Sequence, residues 1–191
     1  MPVRGHDSSA VATPTPPPRL TGKAARRQPR ARERAPVGRR PPNRYGESVI
    51  TVQRSIVTST PVERVFAYMA DFTHAVEWDP GTVACTLFSG DGGEGSRYIN
   101  RSKFLGMETE LTYEVLEVEP SRLIVLRGTN ETVTTTDYLL VQPAAAGSEL
   151  LYTAEFEFTG LGWLFEPLMI LPLNALGNNA ESRLHEVLSD L

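Results

Sequence analysis

Most of the chain after residue 46 alternates between apolar and polar residues, with short turns between the alternating runs. Residues 47–57 are rich in Val, Ile, Thr and Ser, which predicts a first strand. Six further strands are predicted between turns that contain Gly, Pro, Asn or Asp; they cover residues 82–88, 96–104, 107–118, 122–127, 131–141 and 149–159. Consecutive strands joined by short turns predict an antiparallel sheet of about seven strands.

Two short helices are predicted between the first and second strands. The segment from Thr60 to Glu63 has the pattern of a helix start, with Thr60 as the N-cap and Glu63 completing a capping box. Apolar residues then recur at helical spacing. Residues 71–78 predict a second short helix, which ends at the Asp-Pro-Gly turn that follows.

The pattern becomes helical again from residue 161 to the end of the chain. Pro167 and Pro172 are expected to kink or interrupt this long helix and to leave space beneath it. The run Gly162-Trp163-Leu164-Phe165 is strongly apolar. We interpret this run first as the buried part of the helix. The alternative is a segment that enters a membrane interface to load a lipid.

The first 46 residues differ in composition from the rest. They carry eleven Lys and Arg against two acidic residues, a net charge of +9, whereas the remainder has a net charge of −13. Prolines are frequent and most of the apolar residues are Ala, so this segment cannot bury enough surface to offset its ordering entropy. We expect residues 1–45 to be a disordered basic tail and residues 46–191 to form one domain. A second interpretation is that the tail contacts anionic lipid, nucleic acid or an acidic partner.

The charge of the domain, the cysteine count and the lengths of the apolar runs exclude several classes of function. An acidic domain does not offer the basic surface that nucleic-acid phosphates require. The single cysteine, Cys85, excludes an internal disulfide and fits a reducing compartment. The sequence has no apolar run long enough for a membrane span and no apolar secretory segment at the N-terminus. We therefore expect a cytoplasmic protein, either a monomer or a homodimer.

Three local phrases resemble one family. Ser59 to Asp71 resembles the opening of the polyketide cyclase-like branch of the START-like superfamily, Trp78-Asp79-Pro80-Gly81 resembles its Trp-x-Pro step, and Glu117 to Leu123 resembles its Glu-x-x-Pro-x-x-Leu turn. The resemblance implies an α+β helix-grip fold, in which a curved antiparallel sheet wraps round a long C-terminal helix. It also implies an apolar cavity, but the superfamily includes cyclases, lipid carriers and hormone binders, so the fold does not choose a reaction.

Alternation assigns the two faces of the sheet. The predicted inward face is apolar with a few hydroxyls and one amide, which fits a small-ligand site, although these polar groups can also satisfy one another or bind buried water. The charged residues of the strands at 96–104 and 107–118 should face each other on the outer side. Trp78 and Trp163 are interpreted as core or rim residues, or as stacking groups at the cavity mouth. The residues expected to line the cavity are Phe66, Met69, Trp78, Tyr98, Asn100, Ser102, Phe104, Leu111, Tyr113, Tyr152, Phe156, Trp163, Phe165 and Met169.

Signals for catalysis are few. The three histidines are scattered and Cys85 has no partner, so no metal site and no cofactor are expected. A cyclisation or dehydration needs an acid or base near a carbonyl; the candidates are Tyr98, Tyr113 and Tyr152 as donors, with Arg54, Arg127 or His74 as charged partners. The first functional hypothesis is a carrier of a lipid, polyketide or isoprenoid. The alternatives are a polyketide cyclase or dehydratase, and a ligand-sensing regulatory protein that uses its basic tail.

Overall fold

The computed structural model of the chain describes residues 49–159 and 166–191. The predicted tail, Trp163 and Phe165 lie outside these residues. Three α-helices and one short 3₁₀ turn accompany seven strands: β1 Val49–Thr58, α1 Val62–Ala70, the 3₁₀ turn Phe72–His74, α2 Ala75–Trp78, β2 Thr82–Ser89, β3 Arg97–Phe104, β4 Met107–Glu119, β5 Leu123–Thr129, β6 Val133–Ala144, β7 Gly147–Phe158 and α3 Glu166–Ser189.

The seven strands form one antiparallel sheet in the order β1-β7-β6-β5-β4-β3-β2. Every neighbouring pair except β1 and β7 is consecutive in the chain, because short turns keep consecutive strands together. The long helix α3 packs on β1 and on α2, at one end of the strand order. The α+β helix-grip fold, with its curved sheet and long C-terminal helix, is confirmed. No helix in the described part of the chain is long and apolar enough to cross a membrane.

The predicted charge pairing between β3 and β4 is confirmed. Arg97 lies opposite Glu114, Arg101 opposite Glu110, and Lys103 opposite Glu108. These pairs share one face of the sheet, and each contributes only about 0.2–1 kcal/mol at the surface. A shift of one residue would bury the charges, so the pairs oppose slippage of the register.

The predicted capping box at α1 is wrong. Pro61 occupies the N-cap position, and no side chain caps the helix there. The Thr60 hydroxyl instead donates a 2.6 Å hydrogen bond to the backbone carbonyl of Leu188, near the end of α3. The last carbonyls of a helix have no partner within that helix, so this hydroxyl stabilises the end of α3. The Thr60 side chain therefore binds the C-terminal end of α3, and not the start of α1 as the local pattern predicted.

The helix α3 is continuous from residue 166 to residue 189, so Pro172 does not interrupt it. Pro167 lies in the first turn, where the missing N–H breaks no intrahelical hydrogen bond. Arg54 of β1 ties the helix to the sheet: its guanidinium donates to Oδ1 of Asn178 at 2.7 Å and to the carbonyl of Asn174 at 3.0 Å. Gly177 allows the close approach, because a Cβ there would lie 2.5 Å from Cγ1 of Val52.

The buried apolar residues form two separate clusters. The larger cluster includes α1, α2, the C-terminal half of α3 and the middle of the sheet, with Tyr98, Leu139 and Leu184 among its buried members. The smaller cluster contains Ile50, Val52 and Leu173, near the other end of α3. The candidate site lies beside this smaller cluster.

Candidate functional site

A cavity of about 250 Å³ lies between the sheet and α3, where the smaller apolar cluster ends. Met107, at the β3–β4 turn, lines the cavity and is 68% exposed, so the cavity opens to solvent at that turn. Most of the lining is apolar. The lining residues are Val52, Asp79, Gly81, Ser102, Phe104, Met107, Thr109, Leu111, Tyr113, Thr132, Val133, Thr135, Asp137, Tyr152, Ala154, Phe156, Phe158, Met169, Leu173, Leu176, Gly177 and Ala180.

A buried carboxyl group forms part of the cavity wall. Asp137 lies in the middle of β6 and is only 4% exposed. Its Oδ1 accepts a hydrogen bond of 3.2 Å from the Thr135 hydroxyl, and the Tyr113 phenol is a second neutral group that acts on the carboxyl group and lowers its pKa. Tyr113 reaches Asp137 from β4, across the intervening strand β5. Both groups are neutral, so neither compensates the charge of the carboxylate.

A glycine makes the reach of Tyr113 across β5 sterically allowed. Gly128 of β5 lies opposite Tyr113 on one side and Thr135 on the other. A Cβ on Gly128 would lie 2.6 Å from Cζ of Tyr113 and 2.9 Å from Cγ2 of Thr135. Because no side chain stands there, the phenol ring lies over the strand backbone and its hydroxyl reaches β6.

A second carboxyl group comes from the loop after α2. Oδ1 of Asp79 accepts a hydrogen bond from the backbone N–H of Gly81 at 2.9 Å, and Oδ2 accepts one from the Thr82 hydroxyl at 2.7 Å. The chain of hydrogen bonds continues, because Asn100 donates to Thr82 at 3.0 Å and Ser102 donates to Asn100 at 2.7 Å. This network holds Asp79 at the cavity.

The acidity of these groups is altered by burial. The pKa of Asp137 is raised from 3.8 to about 7, mainly by loss of solvation; the nearby charge of Asp79 also raises it, while Thr135 and Tyr113 act in the opposite direction. Burial also raises the pKa of Asp79, against the opposing effects of Thr82, Gly81 and the charge of Arg183. The pKa values of Tyr113 and Tyr152 lie well above their usual range, for which burial is again the main cause. Asp137 therefore titrates near neutral pH, whereas both phenols keep their protons.

The expected cavity residues fall into three groups. Seven of them line the cavity: Ser102, Phe104, Leu111, Tyr113, Tyr152, Phe156 and Met169. Five others, Phe66, Met69, Trp78, Tyr98 and Asn100, do not. The four apolar residues of this second group lie in or against the larger apolar cluster, while buried Asn100 belongs to the network that holds Asp79. Trp163 and Phe165 lie outside the described residues.

The expected charged partners of the tyrosines do not line the cavity. Arg54 binds α3, and Arg127 is exposed on β5. His74 stacks on the ring of Tyr68 with 4.4 Å between centroids. Among the tyrosines, Tyr98 packs edge-on against Phe72 in the core. The constellation at the cavity is therefore tyrosine with aspartate, in place of the expected tyrosine with arginine or histidine.

Sequence reasoning missed both aspartates. Asp137 carried a usable signal, because it alternates in phase with Thr135, Leu139 and Val141, all of which are buried. An acidic residue on the apolar face of a strand indicates a special environment. Asp79 carried no such signal, since it follows the short helix α2 in a loop. No group of three or more His, Cys, Asp or Glu in the described ranges has an arrangement that could hold a metal ion.

Comparisons with known proteins find the same fold. A family model described as polyketide cyclase/dehydrase and lipid transport matches residues 49–185. The Zhui aromatase/cyclase of a Streptomyces species aligns with a TM-score of 0.60 at 15% identity, over 75% of this chain and 93% of its own. A START superfamily protein of Mycobacterium smegmatis has a TM-score of 0.57 at 10% identity, over 74% and 97%. A protein of Thermus thermophilus has a TM-score of 0.57 at 16% identity, over 73% and 99%. These identities show a shared fold alone, and no curated protein matches the chain.

Proposed function

We propose that this chain, which belongs to the polyketide cyclase/dehydrase and lipid transport family, binds and carries a small hydrophobic molecule in the cavity beneath α3. The observation that carries the proposal is a cavity of about 250 Å³ with a mostly apolar lining and a few polar groups in its wall. Small-ligand sites combine these two features, because apolar walls supply affinity and a few polar groups fix the orientation. A lipid, a polyketide and an isoprenoid all have the required chemistry.

The size and the opening of the cavity support a ligand of limited size. Typical ligand pockets measure about 300–1,000 Å³, so this cavity, at about 250 Å³, is slightly smaller than that range. It opens at Met107 and at Thr132, which are both exposed and lie at the β3–β4 and β5–β6 turns. A ligand that enters there buries its apolar surface against Phe104, Phe156 and Leu173, at about 25 cal/mol per Å² removed from water. We place this activity in the cytoplasm, on the basis of the single cysteine.

Native mass spectrometry of protein purified from its own host tests the proposal directly. We expect an additional mass from an apolar compound that dissociates under denaturing conditions. A substitution that fills the cavity should abolish it. Ala154 is 1% exposed and lines the cavity, so Ala154→Leu places a larger side chain in the ligand volume. The matched control is Ala145→Leu, in the exposed β6–β7 turn.

Two results decide the question. Loss of the bound compound in Ala154→Leu, with retention in Ala145→Leu, supports carriage in this cavity. An unliganded wild-type protein that also fails to bind the neutral apolar dye Nile red contradicts it. Equal binding of Nile red by both variants also contradicts it, because the dye would then occupy another surface.

A second candidate function is acid–base catalysis on a polyketide-like ligand, and one observation favours it. The Tyr113 phenol and the Asp137 carboxyl group both line the cavity, and the phenol lowers the pKa of the carboxyl group. In a dehydration, a carboxylate takes a proton from the carbon next to a carbonyl, and a donor supplies a proton to the departing hydroxyl group. A group that titrates near neutral pH suits the first role.

Product analysis separates the two functions. A polyketide-like β-hydroxy ketone incubated with an enzyme should lose water, and Asp137→Asn should remove this activity while leaving Nile red binding intact. Recovery of the unchanged compound from the wild-type protein would leave carriage as the function.

A further inference from the structure

The charged groups in the cavity wall are all of one sign. Asp79 and Asp137 line it, and none of the described lining residues is Lys, Arg or His. The groups that influence the pKa of Asp137 are Asp79, Thr135 and Tyr113, and none of these is positively charged. The charge of Arg183 lowers the pKa of Asp79, but Arg183 is exposed on α3 and does not line the cavity. The cavity is therefore an apolar space with two acidic groups, and no basic residue is among its described lining.

This arrangement discriminates among the polar ends of hydrophobic ligands. A carboxylate or phosphate at this position would place a negative charge beside two buried acids in a region of low dielectric, where like charges repel strongly. An ammonium group would instead neutralise the buried acids and donate hydrogen bonds to them. A hydroxyl group is intermediate, because it donates one hydrogen bond without carrying a charge.

The hydroxyl of Tyr152 is a third polar group at the cavity. The Tyr152 ring lies edge-on against Trp78 at 5.7 Å between centroids, and its hydroxyl makes no hydrogen bond within the described part of the chain. A phenol hydroxyl usually finds a partner when it leaves bulk water. Because it is both donor and acceptor, the Tyr152 hydroxyl can accept a hydrogen bond from the same donating group that faces Asp79 and Asp137.

We infer that the cavity selects hydrophobic ligands whose buried end donates hydrogen bonds, with an amine preferred to a hydroxyl, and that it rejects ligands that end in a carboxylate or phosphate. Asp137, Asp79 and Tyr152 are the residues that recognise this end. The inference rests on the proposed function, because it describes the ligand of the same cavity.

A matched ligand series tests the inference. Decylamine, decanol and decanoate share one apolar chain and differ only in the polar end. Isothermal titration calorimetry below the micelle concentrations of the two charged compounds and below the solubility limit of decanol therefore compares the ends directly. At about pH 8, where Asp137 with its pKa of about 7 is ionised, we expect decylamine to bind at least tenfold more tightly than decanoate, with decanol between them.

Charge-removing variants identify the responsible group. Asp137→Asn keeps the shape of the side chain, and we expect it to reduce the ratio of decylamine to decanoate affinity at least tenfold while changing decanol affinity less than threefold. Glu157→Gln is the matched control, because Glu157 alternates with the cavity residues Phe156 and Phe158 and so faces the other side of the sheet. It should leave all three affinities unchanged. If Asp137→Asn does not fold, Asp79→Asn carries the same prediction.

Proton release provides an independent measure. At about pH 7, binding of decylamine should ionise the protonated fraction of Asp137 and release a fraction of a proton, seen as different heats in buffers of different ionisation enthalpy. The other titratable groups that face Asp137 are Asp79, Tyr113 and Tyr152, and both phenols stay protonated in this range. Decanol should release no proton.

The outcomes separate the inference from the proposed function. Decanoate binding as tight as decylamine overturns the inference and leaves hydrophobic carriage intact. An unchanged affinity ratio in Asp137→Asn and in Asp79→Asn also overturns it. Failure of all three compounds and of Nile red to bind overturns both.

Discussion

Replacing Asp137 with asparagine removes a buried negative charge while keeping the shape of the side chain. The amide oxygen of asparagine can still accept a hydrogen bond from the Thr135 hydroxyl, as the carboxylate does. The stability of the folded protein should then lose the pH dependence that Asp137 contributes. The substitution therefore measures how much free energy the protein gives up to hold this carboxyl group in the cavity wall.

The size of the effect follows from the pKa of Asp137, which is 3.8 in the unfolded chain and about 7 in the folded protein. Each pKa unit corresponds to about 1.4 kcal/mol, so the difference amounts to about 4 kcal/mol. Well below pH 3.8 both states are protonated and the penalty is absent. Because the folded state holds its proton up to higher pH, stability falls as the pH rises towards 7, and the full penalty is present above it.

Urea unfolding of both proteins at a series of pH values provides the assay. We expect Asp137→Asn to gain stability relative to the wild type by up to about 4 kcal/mol between about pH 4 and pH 8. The new amide N–H groups cost about 1–3 kcal/mol if they lack acceptors, but this cost does not vary with pH. The change in the difference with pH is therefore the quantity to compare.

The control is Glu157→Gln, on the opposite face of the neighbouring strand, which should follow the wild-type profile. A constant difference between Asp137→Asn and the wild type across this pH range would refute the reasoning, because it would mean that Asp137 titrates alike in the folded and unfolded states.

Three further substitutions test the packing that positions the site. Gly128→Ala places a Cβ against the ring of Tyr113 and should cost about 1–3 kcal/mol by urea unfolding, with weaker decylamine binding because the phenol is displaced. Gly177→Ala should separate α3 from β1 and lower the melting temperature, although alanine favours the helix by about 1 kcal/mol; an increase would contradict the close approach. Thr60→Val removes a hydrogen bond to the end of α3 and should cost about 1 kcal/mol without affecting ligand affinity.

The faces of the strands could be predicted because side chains alternate with a period of two residues. In β3 and β4 this rule alone placed the charged residues opposite one another, and it assigned Tyr98, Asn100, Ser102 and Phe104 to the inner face. The rule cannot say which part of the inner face is covered. Phe72 packs on Tyr98 at 5.6 Å between centroids, so that end of β3 is core, whereas Ser102 and Phe104 further along the strand line the cavity.

Capping was predicted less well for a related reason. The motif at Thr60 is local, but its hydroxyl has two possible sets of partners. These are the backbone N–H groups in the first turn of α1 and the backbone carbonyls in the last turn of α3. The second set is brought close only when the chain is folded, and the fold places the hydroxyl there. Local propensity describes what a segment can do in isolation, and tertiary contacts override it.

The order and type of the elements, the inner and outer faces of the strands and the family all follow from the amino-acid sequence, because period, turn chemistry and local phrases are properties of neighbouring residues. The polar end of the cavity follows only from the tertiary structure. Asp79, Tyr113, Asp137 and Tyr152 belong to a loop and to three different strands, and they meet because the sheet curves beneath α3. Their altered acidity has the same origin, since the free energy of a charge depends on the solvent and the groups around it, which one-dimensional spacing does not specify.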